Sequence, residues 1–201
     1  MSLQISADFH GGNILVQALR GTQADLTIRQ DAGGGPWFQW FYFRVDGVGG
    51  RELTLRILNA GASAYPEGWV GYRACVSADG ESWIRAETRY DSGVLEIRHR
   101  PPADTLWVAY FAPYDDRRHA ALIARAVAGG ARADVLGASP DGRPIDRFSL
   151  GRGRRQVWVV GRQHSGETMA SWWMEGALDR LLDAGDATGR ALLAAATLHF
   201  A

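Results

Sequence analysis

The 201-residue chain contains no lysine, so all 22 of its basic side chains are arginine. We read that bias as codon usage in GC-rich DNA, without functional content. Net charge is missing too, because 22 acidic residues balance the 22 arginines. A neutral chain gives no electrostatic reason to expect nucleic acid or an anionic membrane as partner. A single cysteine, Cys75, excludes an internal disulfide and suits a reducing cytoplasm. No apolar run approaches the roughly 20 residues of a membrane helix. The opening stretch Met1–Asp8 lacks a basic region ahead of an apolar one, so no secretory signal is expected and a cytoplasmic location is. The 25 glycines and seven prolines follow no short period, which excludes a collagen-like chain. With 46% apolar and 22% charged residues the composition is globular, not disordered. Its length allows one or two domains at about 100–200 residues each.

What is present changes character near residue 110. Before it lie short alternating runs broken by turns. Phe38–Val45 is dense in aromatic and β-branched residues and ends at Asp46-Gly47. Leu53–Leu58 and Val94–Arg98 alternate at period two, and Thr105–Phe111 is almost continuously apolar. Trp69–Val76 and Ser82–Thr88 add two candidate strands. Strands at this spacing, without a convincing helix, predict an antiparallel β-sandwich over residues 1–110.

Residues 111–201 read as α/β. Asp115 or Asp116 can cap a helix whose apolar stripe is Leu122, Ile123, Ala126 and Val127, with Gly129-Gly130 ending it. Val135-Leu136 and Ile145–Leu150 flank the turn Ser139-Pro-Asp-Gly142. Gln156–Val160 predicts a strand buried on both faces, as in a parallel sheet. Helices are expected at about 166–182 and 190–195, and Thr197 begins another strand. So few strands and helices leave an edge and a face of such a sheet uncovered. That pattern points to the front part of a larger enzyme, or to a small α/β appendage.

One constellation can carry chemistry: His164-Ser-Gly-Glu167, following the predicted buried strand and opening a helix. An imidazole and a carboxylate three residues apart can converge on one cation, and Zn²⁺ accepts both. Spacing alone leaves two readings open. The other has Glu167 complementing the helix dipole and His164 as an exposed loop residue. His10, His99 and His119 do not repeat the pattern. Placement at the carboxyl end of a buried strand favours the metal, because open α/β sheets bind ligands there.

His164-Ser-Gly-Glu-Thr-Met-Ala-Ser-Trp172 resembles the zinc motif of the carboxypeptidase A-like metallopeptidases, in the form used by the cytosolic carboxypeptidase branch. That branch usually has proline after the histidine. Ser165 departs from it, but neither metal donor changes. Gly12-Asn13-Ile14, Phe38–Val45, Tyr65-Pro-Glu-Gly-Trp69 with Gly71-Tyr72, and Tyr110–Tyr114 resemble the sandwich domain that precedes the catalytic domain there. The resemblance implies zinc-assisted hydrolysis of a C-terminal peptide bond, including isopeptide-linked glutamate in some members, with a peptide or protein C-terminus as substrate. It implies His164 and Glu167 as the first two zinc ligands. The third ligand, the general base and the carboxylate clamp lie in family segments beyond Ala201, so the active site of this chain is expected to be incomplete.

The remaining features have plainer readings. The aromatics of the first domain are expected in the sandwich core. Trp172, Trp173 and Met174 are adjacent on a helix and cannot all face one way. Arg152, Arg154 and Arg155 read as a solvated turn, Cys75 as a buried apolar thiol, and His199 as a packing residue within a strand. The competing functional reading is a non-enzymatic sandwich module that binds a protein or glycan.

Overall fold

A computed structural model describes residues 3–31 and 35–201. The chain divides into two compact units, Met1–Pro113 and Tyr114–Ala201.

The first unit has ten strands among the described residues. They are β1 (Gln4–Ser6), β2 (Leu15–Arg20), β3 (Gln23–Thr27), β4 (Tyr42–Asp46), β5 (Leu53–Ile57), β6 (Cys75–Ser77), β7 (Ile84–Arg85), β8 (Glu87–Asp91), β9 (Val94–His99) and β10 (Thr105–Ala109). They form two five-stranded sheets, in the orders β1-β4-β10-β6-β7 and β2-β3-β5-β9-β8. Every pairing is antiparallel except β3 with β5. Period-two alternation decides which side chains are buried. Leu53, Leu55 and Ile57 of β5, Leu95 and Ile97 of β9, Phe43 and Val45 of β4, and Leu106 and Val108 of β10 share one core. Trp69 joins them fully buried, and its indole N–H donates to the Ala60 carbonyl at 2.9 Å and the Ser63 hydroxyl at 2.8 Å. Cys75 is buried, a free thiol whose pKa that burial pushes up.

Two strand expectations need correction. The run Phe38–Val45 enters the ladder only at Tyr42. Upstream, its backbone is bonded to loops: the Asn13 amide donates to the Trp40 carbonyl at 3.0 Å, and Ala64 N–H to the Phe38 carbonyl at 2.8 Å. Trp69–Val76 is not one strand. Pro66 opens a 3-10 turn over Pro66–Trp69, Gly71 turns left-handed at φ +72°, and the ladder begins at Cys75. The aromatics are also divided. Phe41, Phe43 and Trp69 fill the core, whereas Tyr42 and Trp107, 5.6 Å apart between centroids, are half-buried on the other face of their sheet.

The second unit contains α1 (Asp116–Ala128), β11 (Arg132–Ala138), β12 (Pro144–Gly151), β13 (Arg155–Val159), α2 (Met169–Leu182), α3 (Ala187–Ala195) and β14 (Ala196–Phe200). Asp115 caps α1 by accepting from Arg118 N–H at 2.8 Å, and Gly130 leaves it at φ +91°. Asp186 caps α3 in the same way, through Gly189 N–H at 2.9 Å. The sheet order is β11-β12-β14-β13, with β13 and β14 parallel and the other pairs antiparallel. Leu122 and Ala126 of α1 and Met174 and Leu178 of α2 pack with Phe148, Leu150, Leu198 and Phe200 of the sheet. Val127, expected in the buried stripe, is 49% exposed, because Leu122 and Ala126 already define the inward line four residues apart.

The strand β13 is not buried on both faces. Trp158 is 51% exposed and Val157 40% exposed. The strand has a hydrogen-bonded neighbour on one side only, and register sets Trp158 beside His199, on the face opposite the Leu198 and Phe200 core. Trp173 is exposed and Met174 buried, as adjacency on a helix requires. No helix of the described residues is long and apolar enough to cross a membrane.

An ion pair ties α1 to α2. Arg118 Nε lies 3.1 Å from Glu175 Oε2, and its guanidinium stacks 4.0 Å from the Trp172 ring centroid. Burial raises the Glu175 pKa, but hydrogen bonds from Arg118 and the positive charges of Arg118 and Arg125 outweigh it and hold the carboxyl below its ordinary value. Its folded pKa is therefore depressed, and its contribution to stability is present above about pH 4.5 and lost as pH falls. Urea unfolding of wild type and Glu175→Gln should show a stability gap at neutral pH that narrows below about pH 4.5. Phe43→Ala, in the sandwich core, should cost about 3–5 kcal/mol in the same assay.

Candidate functional site

The site is built where β13 ends. The parallel ladder with β14 continues one step further, as Gly161 N–H donates to the Ala201 carbonyl at 3.0 Å. Gly161 leaves room for the helix above it: a Cβ there would stand 2.7 Å from Met174 Cε, so the end of that side chain would have to move, and 3.4 Å from Ala170 Cβ. The chain then reverses over residues 162–168 and enters α2 at Met169. The expected helix start near 166 is displaced because residues 164–167 form a turn, closed by Glu167 N–H donating to the His164 carbonyl at 2.9 Å. A closed turn of this kind holds its end Cα atoms within about 7 Å. The structure thus brings the two candidate ligands, His164 and Glu167, to one turn at the carboxyl rim of a parallel strand pair.

Both side chains are exposed. Neither makes a hydrogen bond or ion pair with another described residue. Behind them the turn is anchored. Thr168 is fully buried, and its carbonyl accepts from Ser171 N–H at 3.1 Å and Trp172 N–H at 3.2 Å. Arg162, at φ +56°, donates from Nε to the Ser165 carbonyl at 3.0 Å and from Nη1 to the Tyr114 carbonyl at 2.9 Å. Burial pulls the Arg162 pKa below its ordinary value. Tyr114 is itself 3% exposed, with its ring edge-on to Trp172 at 5.3 Å. Burial, and then the neighbouring Glu175 carboxylate, push its phenol pKa up.

The donor set matches a metal as far as it extends. One imidazole and one carboxylate, solvent-facing and uncommitted, suit Zn²⁺ or a similar divalent ion. Among the described residues there is no group of three or more His, Cys, Asp or Glu side chains able to hold a metal. His199 does not approach that role. It is buried, with Ser149 Oγ 2.8 Å from its Nδ1 and Gln156 Oε1 2.7 Å from its Nε2. An amide oxygen only accepts, so Nε2 donates to Gln156. Trp158 stacks on the imidazole at 4.6 Å. Sequence reasoning gave Arg162 no role, since nothing in periodicity or spacing marks a left-handed arginine that bonds main-chain carbonyls.

Comparison with known proteins agrees with this picture. Residues 5–111 match the cytosolic carboxypeptidase N-terminal domain family. An uncharacterised protein of Zymomonas mobilis is 48% identical over 99% of this chain and 52% of its own length. The crystal structure of a metallo-carboxypeptidase from Burkholderia cenocepacia superposes with TM-score 0.93 at 35% identity, covering all of this chain and 56% of the other. A Pseudomonas aeruginosa metallo-carboxypeptidase, in complex with (2-guanidinoethylmercapto)succinic acid, gives 0.89 at 38% identity, covering 98% of this chain and 54% of the other. The chain therefore spans about half the length of these relatives. With a sandwich of the matching family followed by an α/β unit like that of the metallo-carboxypeptidases, this chain belongs to the cytosolic carboxypeptidase family.

Proposed function

We propose that the chain is the leading portion of a zinc-dependent metallocarboxypeptidase of the cytoplasm, hydrolysing C-terminal peptide bonds of peptides or proteins. In this reading residues 1–110 are the sandwich domain and 111–201 the first part of the catalytic domain. His164 and Glu167 are the first two zinc ligands. The observation that carries it is the pair's position: two uncommitted donors on one closed turn, at the carboxyl end of β13. Such rims are where α/β sheets take their ligands.

The chemistry that bound zinc supplies is polarisation of the scissile carbonyl and activation of water. This chain's part is narrower. The His164 imidazole nitrogen and Glu167 carboxylate would hold the ion. The buried Thr168 and the start of α2 hold the turn that carries them. The third ligand, the general base and the carboxylate clamp are assigned to the remainder of the protein, and so is any preference for C-terminal glutamate.

Zinc titration of the chain, followed through the His164 imidazole NMR signals, tests the assignment. Saturable shifts are expected in wild type and should be abolished in His164→Ala and weakened at least about tenfold in Glu167→Ala. Wild type and both variants ignoring zinc alike would favour the non-enzymatic sandwich module. The chain alone should show no chelator-sensitive release of glutamate from N-blocked peptides ending in that residue. Such release would mean that the catalytic set is complete within residues 1–201.

A further inference from the structure

We propose that Arg162 is a positioning residue for the metal-binding turn, its guanidinium clamping the Ser165 carbonyl to the Tyr114 carbonyl. This rests on the reading of His164 and Glu167 as ligands.

The backbone makes the first part of the case. Arg162 sits at φ +56°, a left-handed conformation that is strained for a non-glycine residue. Glycine would adopt it freely, and the chain places glycine at the adjacent 161 for a different reason, the approach of α2. An arginine kept at a strained position points to its side chain. That side chain makes two charge-assisted hydrogen bonds, of 3.0 and 2.9 Å, both to main-chain carbonyls.

The two carbonyls make the second part. Ser165 is inside the ligand turn, between His164 and Glu167. Tyr114 lies just before the cap of α1, and its buried ring packs on Trp172 of α2. One end of the clamp is therefore fixed to the helix layer and the other end is the turn. Arginine suits this task because its planar fork presents Nε and Nη1 in a rigid relation, which a lysine ammonium cannot reproduce. The clamp grips main chain, so it works equally with the Ser165 found here or with a proline at that place.

Arg162→Gly removes the clamp while accepting the backbone conformation. In the zinc titration of the 201-residue chain, its affinity should fall by about tenfold or more, the usual effect of removing a group that orients a ligand. The metal-free melting temperature should stay near that of wild type. Arg162→Lys, which can reach one carbonyl, should fall between the two. It also serves as the measured variant if the glycine chain does not fold. His164-dependent zinc binding that either Arg162 variant leaves within about twofold of wild type would overturn the positioning role alone. A lowered melting temperature with unchanged affinity of the folded protein would do the same. Absence of His164-dependent binding in wild type would overturn the clamp and the metal assignment together.

Discussion

Everything proposed for this chain depends on one close approach, that of Gly161 to the underside of α2. Because no Cβ stands between them, the Met174 side chain keeps its place over the chain just past β13, where the reversal begins. Seven residues complete the reversal before Met169 starts the helix. His164 and Glu167 fall in the middle of that reversal, so their position at the sheet rim follows from packing. A bulkier residue at 161 would first displace the Met174 methyl, the far end of a flexible side chain.

The second unit also shows how polar groups are used on the sheet face turned away from its helices. One face carries Phe148, Leu198 and Phe200 into the helix layer. The other carries Ser149, His199 and Trp158 in a single cross-strand row. There the serine, imidazole and Gln156 amide satisfy one another, and Trp158 stacks over the ring. The imidazole thus links three strands through its two ring nitrogens.

Much of this was legible in the sequence because it rests on local rules. Alternation gave β5 and β9, a nearly continuous apolar run gave β10, a cap at Asp115 or Asp116 with Gly129-Gly130 bounded α1, and the Ser139–Gly142 turn placed β11 and β12. The His164–Glu167 motif and the surrounding resemblance identified the family. What was hidden depends on contacts across the chain. Phe38–Phe41 has strand-like composition, but Asn13 and Ala64 take its backbone bonds elsewhere. The apolar run in β13 suggests burial on both faces, whereas its exposure is decided by which neighbours flank it. Arg162 carried no pattern at all, since its partners are carbonyls whose positions only the folded chain defines.

The lone thiol of Cys75 has a practical consequence. It is 4% exposed, on β6 of the first unit, and the second unit contains no sulfhydryl. A maleimide or disulfide reagent can reach it only when that burial is relieved. Every labelling event therefore reports on that one position.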